Sequence, residues 1–140
     1  MPGKGACSAE IDFQHRVVTD YVSLMRESLM TGATRSAIKL ELAELARFAR
    51  LHFAFEESAM RAHGYPAIRI HAHEHLALSG LIALLERTGE RVSSIELMLR
   101  LEQQMLDHLG SRDALFDSWL EANETDCRWH VRSFPLKVAL

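Results

Sequence analysis

Residues 52–75, HFAFEESAMRAHGYPAIRIHAHEH, decide the fold. His52 and Glu56 are four residues apart, as are His71 and His75, and a four-residue spacing projects two side chains from the same face of a helix on adjacent turns. Between the pairs lie the breakers. Gly64 is placed to stop one helix, and Pro66 is placed at the first position of the next, where a missing N–H costs nothing. The stretch therefore predicts two antiparallel helices joined by a short turn, with both polar pairs near that turn and so at one end of the pair.

Working outward, the same logic extends over the chain. A first helix is expected from about Ser8 to Met30, with Glu10 and Asp12 in its first turn and Thr31-Gly32-Ala33 ending it. The second is expected from Thr34 to Ala62, and the third from Pro66 to Thr88, before Gly89. A fourth opens at a capping box, Ser93 with Glu96, and runs to about Leu120. Seven glycines and three prolines in 140 residues leave few breakers inside these stretches. Helices of roughly 20 to 28 residues, about 30 to 40 Å long, joined by short connections must pack antiparallel. The predicted fold is all-α, an up-down-up-down four-helix bundle over residues 1–122, with a C-terminal tail over 123–140 packed on it.

Alternating spacings of three and four show what faces the bundle axis. The first seam reads Ile11, His15, Val18, Val22, Met25 and Leu29. The second reads Ile38, Leu42, Leu45, Ala49, His52, Glu56 and Ala59, and the third Ile68, His71, His75, Leu78, Ile82 and Leu85. In the fourth, Met98, Leu101, Met105 and His108 are followed by a slip of one residue, resuming through Asp113, Phe116 and Leu120. Five residues subtend about 140° on an ideal helix, so a single wide turn near Gly110 is needed to bring Asp113 to the side of His108. Leu115 and Trp119 would continue the unshifted seam instead. In antiparallel order His15, His52, Glu56, His71, His75, His108 and Asp113 all fall at one level.

Any one of these histidines alone reads as an ordinary core or surface histidine. Seven buried ionisable groups at one level are different, because buried charges need pairing and buried polar groups need partners. A metal centre resolves the conflict. Imidazole with carboxylate and no sulfur suits iron, manganese or zinc, and seven donors exceed what one ion takes, so two ions sharing carboxylates fit the count. His63, His73 and His130 lie off the seams. Glu57 and Glu74 flank the donors, where solvated surface competes with a role behind the ligands.

Composition narrows the function further. The chain is 48% hydrophobic and 25% charged with a formal net charge of −3. No basic face is available for a phosphate backbone, so nucleic acid is not an expected partner. No leader pattern and no long apolar run is present, which predicts a cytoplasmic chain without membrane contact. Cys7 and Cys127 form no C-x-x-C pair and are expected as free thiols.

At this point the chain resembles a known family, the bacterial hemerythrins, over about residues 10–120. The resemblance is carried by Ile11-Asp12-Phe13-Gln14-His15, by His52-Phe53-Ala54-Phe55-Glu56-Glu57 with Met60, by Tyr65-Pro66 followed by His71-x-x-x-His75, and by His108 with Asp113. It implies a non-haem, oxo- or hydroxo-bridged centre of two iron ions. One iron would be held by His71, His75 and His108, the other by His15 and His52, with Glu56 and Asp113 bridging. The two-histidine iron would keep an open position, which in the family is where O2 binds, for carriage, storage or sensing. Reversible binding requires a dry apolar pocket there.

The chain departs from the family at Gln104, where bacterial members commonly carry tryptophan. With Leu101 and Met105, Gln104 is expected to line the ligand pocket, and a glutamine there admits water or hydrogen-bonds a bound diatomic. The alternative to a binding protein is a di-iron redox enzyme acting on peroxide or nitric oxide. Ferritin-like oxidases need Glu-x-x-His pairs, which this sequence lacks, and a structural zinc site would use four donors rather than seven. Trp129, Phe134, Pro135 and Leu136 make the tail apolar enough either to cap the bundle or to contact a protein partner.

Overall fold

The computed structural model describes residues 6–88 and 91–123, and every regular element in them is helical. In chain order these are α1 (Ala6–Thr31), α2 (Arg35–His63), α3 (Ile68–Arg87), α4 (Arg91–His108), a π-helical turn over Leu109–Asp113, and α5 (Ala114–Asn123). The last three form one rod. α1 packs on α2 and α4, and α3 packs on α2 and α4, which closes the four-helix bundle that the seams predict.

Local chemistry sets the ends of the rods. Thr34 is extended and its side chain accepts from the Ala37 N–H at 3.2 Å, giving α2 an N-cap. Gly64 terminates the same helix with φ 69° and ψ 38°, a left-handed conformation that costs any residue with a Cβ. The Gly64 and Tyr65 N–H groups turn back to the Arg61 and Met60 carbonyls, so two of the free helix-end acceptors are satisfied.

Two expectations about helix starts are corrected. Pro66 does not open α3: it lies in the turn, and α3 begins at Ile68 after Ala67. The Tyr65 ring packs against Phe116 and Trp119, with centroids 4.8 and 5.2 Å away, and this anchoring holds the turn through one further residue. Nor does α4 start at Ser93: it is already helical at Arg91. Gly89 and the tail from residue 124 onward, with its expected packing, lie outside the described residues.

The slip in the fourth seam is real. The turn widens over Leu109–Asp113, Asp113, Phe116 and Leu120 are buried, and Leu115 is 57% exposed. Ser111 Oγ donates to the Asp107 carbonyl at 2.6 Å, giving that carbonyl a partner where the backbone ladder changes pitch.

The apolar core is divided. One cluster runs through Val18–Leu29, Leu42–Phe53, Leu78–Leu85 and Met98–Met105, and a second holds Cys7, Ile11, Phe55, Ala59, Met60, Tyr65, Phe116 and Leu120. The layer between them is where the predicted donors sit. Cys7 is buried and bonded in a disulfide, which corrects the expectation of a free thiol. Distance along the sequence misled here, because the start of α1 packs with Phe116 and Leu120 of α5; Cys127 itself lies outside the described residues.

The wide turn makes a direct prediction. Phe116→Ala should cost about 3–5 kcal/mol, as truncation of a buried aromatic does, while Leu115→Ala should stay within about 0.5 kcal/mol. Urea denaturation of the two variants checks this, and equal losses would mean that the unshifted seam is the buried one.

Candidate metal centre

Each donor arrives from the helix that its spacing predicts. His15 comes from α1, His52 and Glu56 from α2, His71 and His75 from α3, His108 from the end of α4, and Asp113 from the wide turn. All are buried except His15, whose side chain is 16% exposed.

The imidazoles form two groups. His71, His75 and His108 stand with ring centroids 4.6 to 4.9 Å apart, and His15 and His52 pair at 4.8 Å. The two carboxylates lie between the groups and divide their oxygens. Glu56 Oε1 is 2.5 Å from His71 Nε2 and 3.3 Å from His75 Nε2, while Oε2 is 3.0 Å from His15 Nε2 and 3.6 Å from His52 Nε2. Asp113 Oδ1 is 2.8 Å from His71 Nε2 and 3.0 Å from His108 Nε2, while Oδ2 is 3.2 Å from His15 Nε2. One oxygen of each carboxylate thus serves the three-histidine set and the other serves the two-histidine set.

These contacts are close, but most are not hydrogen bonds. Glu56 Oε1, both Asp113 oxygens and the Nε2 atoms of His71, His75 and His108 are buried with no hydrogen-bond partner. Six orphaned polar atoms at one level would be severely destabilising unless another species satisfied them. All are good donors to a borderline cation. The seven donors fall into two overlapping clusters, Glu56-His71-His75-His108-Asp113 and His15-His52-Glu56-Asp113, and within each the donor atoms lie within 4.8 Å of one another. The donor set fits a pair of metal ions sharing Glu56 and Asp113.

The chain's match to the Hemerythrin HHE cation binding domain spans residues 8–120. It belongs to the hemerythrin family. It is 29% identical over 114 residues to a bacteriohemerythrin of Methylococcus capsulatus, covering 79% of this chain and 86% of the relative. It is 28% identical over 116 residues to a bacteriohemerythrin of Stenotrophomonas maltophilia, covering 81% of this chain and 74% of that one. No solved structure matches it. As a hemerythrin, the chain is a di-iron, oxygen-binding protein, and its His/Glu/Asp cluster is able to hold the metal.

Behind the donors stands a second row of groups. His75 Nδ1 donates to Glu57 Oε2 at 2.9 Å, and His108 Nδ1 lies 3.5 Å from Glu74 Oε1. Arg112 takes the other Glu74 oxygen. The two flanking glutamates therefore face the imidazoles rather than serving only as surface. His52 Nδ1 donates to Gln14 Oε1 at 2.8 Å. Gln14 is not predicted as part of the site: the predicted seam runs through Ile11, His15 and Val18, although Ile11, Gln14 and Val18 keep the same spacing, and its burial against α2 shows its role. Phe53 stacks on His75, with centroids 4.3 Å apart.

The expected ligand-pocket residues have different surroundings. Leu101 and Met105 are buried in the larger apolar cluster. Gln104 is half-buried and lines an open groove of about 240 Å³ between α3 and α4 with Glu74, Ala77, Leu78, Asp107 and His108. Of the remaining histidines in the described residues, His73 is exposed and His63 donates to the Ala59 carbonyl.

Protonation of the metal-free site follows from these distances. Burial pushes the His52 imidazole down to about 4. Burial acts the same way on His71, but the Asp113 and Glu56 carboxylates outweigh it and hold that imidazole up at about 9. For Glu56, burial works to raise the carboxyl, yet the His15, His71 and His75 imidazoles hold it well below the usual range.

His52 stays neutral in the fold while an unfolded chain takes up its proton near 6.5, so stability falls as pH drops from there toward 4. His71 stabilises the fold below 6.5 and gives up that contribution as pH rises through 9. Metal-free protein should therefore show a thermal midpoint that peaks near pH 6.5. Metal must displace the His71 proton, so loading at pH 7 should release about one proton per chain from this group. Monotonic stability across pH 4 to 9, or loading without proton release, would contradict this protonation pattern.

Proposed function

We propose that this protein binds O2 reversibly, for carriage, storage or sensing, at a position held by only two histidines. The observation that supports this is the division of Glu56 and Asp113 between unequal sets of imidazoles. In this proposal His71, His75 and His108 hold one iron and His15 and His52 the other, with both carboxylates bridging. Iron in the ferrous state supplies the electrons that O2 takes up on binding.

The rest is supplied by the chain. Three imidazoles and two carboxylate oxygens fill most of the coordination sphere at one position, whereas two imidazoles and two oxygens leave room at the other. The two apolar clusters on either side of the donor layer keep bulk water away from it. Leu101 and Met105 belong to the cluster on one side, and we propose them as the dry wall of the ligand position. Tyr65, Phe116 and Trp119 close the bundle beyond the other.

A redox role toward peroxide or nitric oxide is the second reading, favoured by the groove in which Gln104 and Asp107 approach His108. A polar, open groove beside a donor brings water and protons close to the centre. The two readings separate in one experiment. Anaerobically reduced protein is exposed to air and then degassed, with the visible spectrum followed and iron counted. Two irons per chain and a charge-transfer band that appears with O2 and disappears on degassing are expected. Two irons that oxidise without a reversible band would move the assignment to redox chemistry, and absence of iron would overturn both.

The groove supplies a further prediction. Gln104→Trp fills it with an apolar ring, and air oxidation of the reduced protein should then slow severalfold. An unchanged rate would show that water does not reach the centre by this side.

A further inference from the structure

Gln14 is a long polar side chain buried completely at a core level, where an amide must find partners for both of its ends. Its Oε1 accepts from His52 Nδ1 at 2.8 Å, and its Nε2 donates to Glu10 Oε1 at 3.0 Å. Glu10, Gln14 and His52 thus form a chain from a half-buried carboxylate to a donor imidazole. Because an amide oxygen only accepts, the His52 proton is fixed on Nδ1, and the Nε2 lone pair is left facing Glu56 and the centre.

The other set is supported differently. His75 donates to a carboxylate, Glu57, and His108 faces Glu74, whose charge is shared with Arg112. The partner on the far nitrogen of a ligating histidine tunes how basic the near nitrogen is. A carboxylate raises that basicity and favours the more highly charged metal ion; a neutral amide does so less.

We propose that Gln14 is a positioning residue that makes the two metal positions electronically unequal. It holds His52 in the ligating tautomer while keeping negative charge one residue further away, on Glu10. Iron at the two-histidine position is thereby left easier to return to the ferrous state than a carboxylate partner would allow. This rests on the ligand assignment proposed above, in which His52 binds the two-histidine iron.

The decisive variant exchanges the two groups, Glu10→Gln with Gln14→Glu, in the full chain. Total charge, shape and both hydrogen bonds are kept, but the carboxylate now faces His52. The midpoint potentials of the two irons are read in an anaerobic redox titration followed by an iron-specific spectroscopy. The expected result is a tenfold or larger shift toward the ferric form at the two-histidine iron, a fall of about 59 mV for one electron, with the other iron unmoved. Glu57→Gln should shift only the three-histidine iron, and in the opposite direction. Both irons retained with neither potential changed by the exchange, or with both moved equally, would overturn the proposal.

Gln14→Met keeps the test open if the exchanged pair does not fold. It removes the acceptor from His52, and Co²⁺ affinity at that position should fall by about 10- to 100-fold with the helix content unchanged. Undiminished affinity would also overturn the proposal. Should the wild-type chain itself hold fewer than two irons, the ligand assignment fails, and that outcome is distinct from either of these.

Discussion

Seven ionisable side chains brought to one level of a helical bundle, all but His15 buried, are the constraint on which the rest of this structure depends. Five imidazoles and two carboxylates cannot satisfy one another there: six of the polar atoms that face the centre have no hydrogen-bond partner, and the mixture of protonation states they adopt without metal, with His52 down at about 4 and His71 up at about 9, is a compromise. Cations bridged by the carboxylates remove the conflict. Without them the layer is a fault in the core.

The architecture serves that layer. Apolar clusters lie on both sides of it, so all the donors but His15 are buried without being deep in a large protein. The wide turn after His108 adds one residue to the fourth rod where Asp113 must swing toward the centre, and Ser111 covers the carbonyl affected by the change of pitch. A π-helical turn is costly in an ordinary helix and is found most often at functional sites. Here its product is the second carboxylate, which with Glu56 touches both histidine sets. The inequality of those sets, three against two, is the feature on which the proposed open position rests.

Much of this was legible in the sequence because helical spacing is a strict code. The pairs His52/Glu56 and His71/His75 could only share faces, whereas the five-residue gap from His108 to Asp113 left two seams open, and the structure takes the shifted one through Phe116 and Leu120. Groups that act across helices were less legible. Gln14 shares the buried face of α1 with Ile11 and Val18, but its role shows only when α2 brings His52 against it. Gln104 stands one residue before Met105, yet that residue turns it from the core to a groove beside His108. Helix ends were the least legible: the Tyr65 packing carries the turn past Pro66, and α4 is already helical at Arg91, ahead of Ser93. The disulfide at Cys7 was hidden because proximity in the bundle does not follow proximity in the chain.

The central claim is that Glu56 and Asp113 are shared between two metal ions of unequal surroundings. Anomalous diffraction at the iron edge, from crystals of the iron-loaded protein, tests it most directly. Two peaks are predicted with both carboxylates between them, one flanked by His71, His75 and His108 and the other by His15 and His52. A single peak, or a second peak away from Glu56 and Asp113, would contradict it.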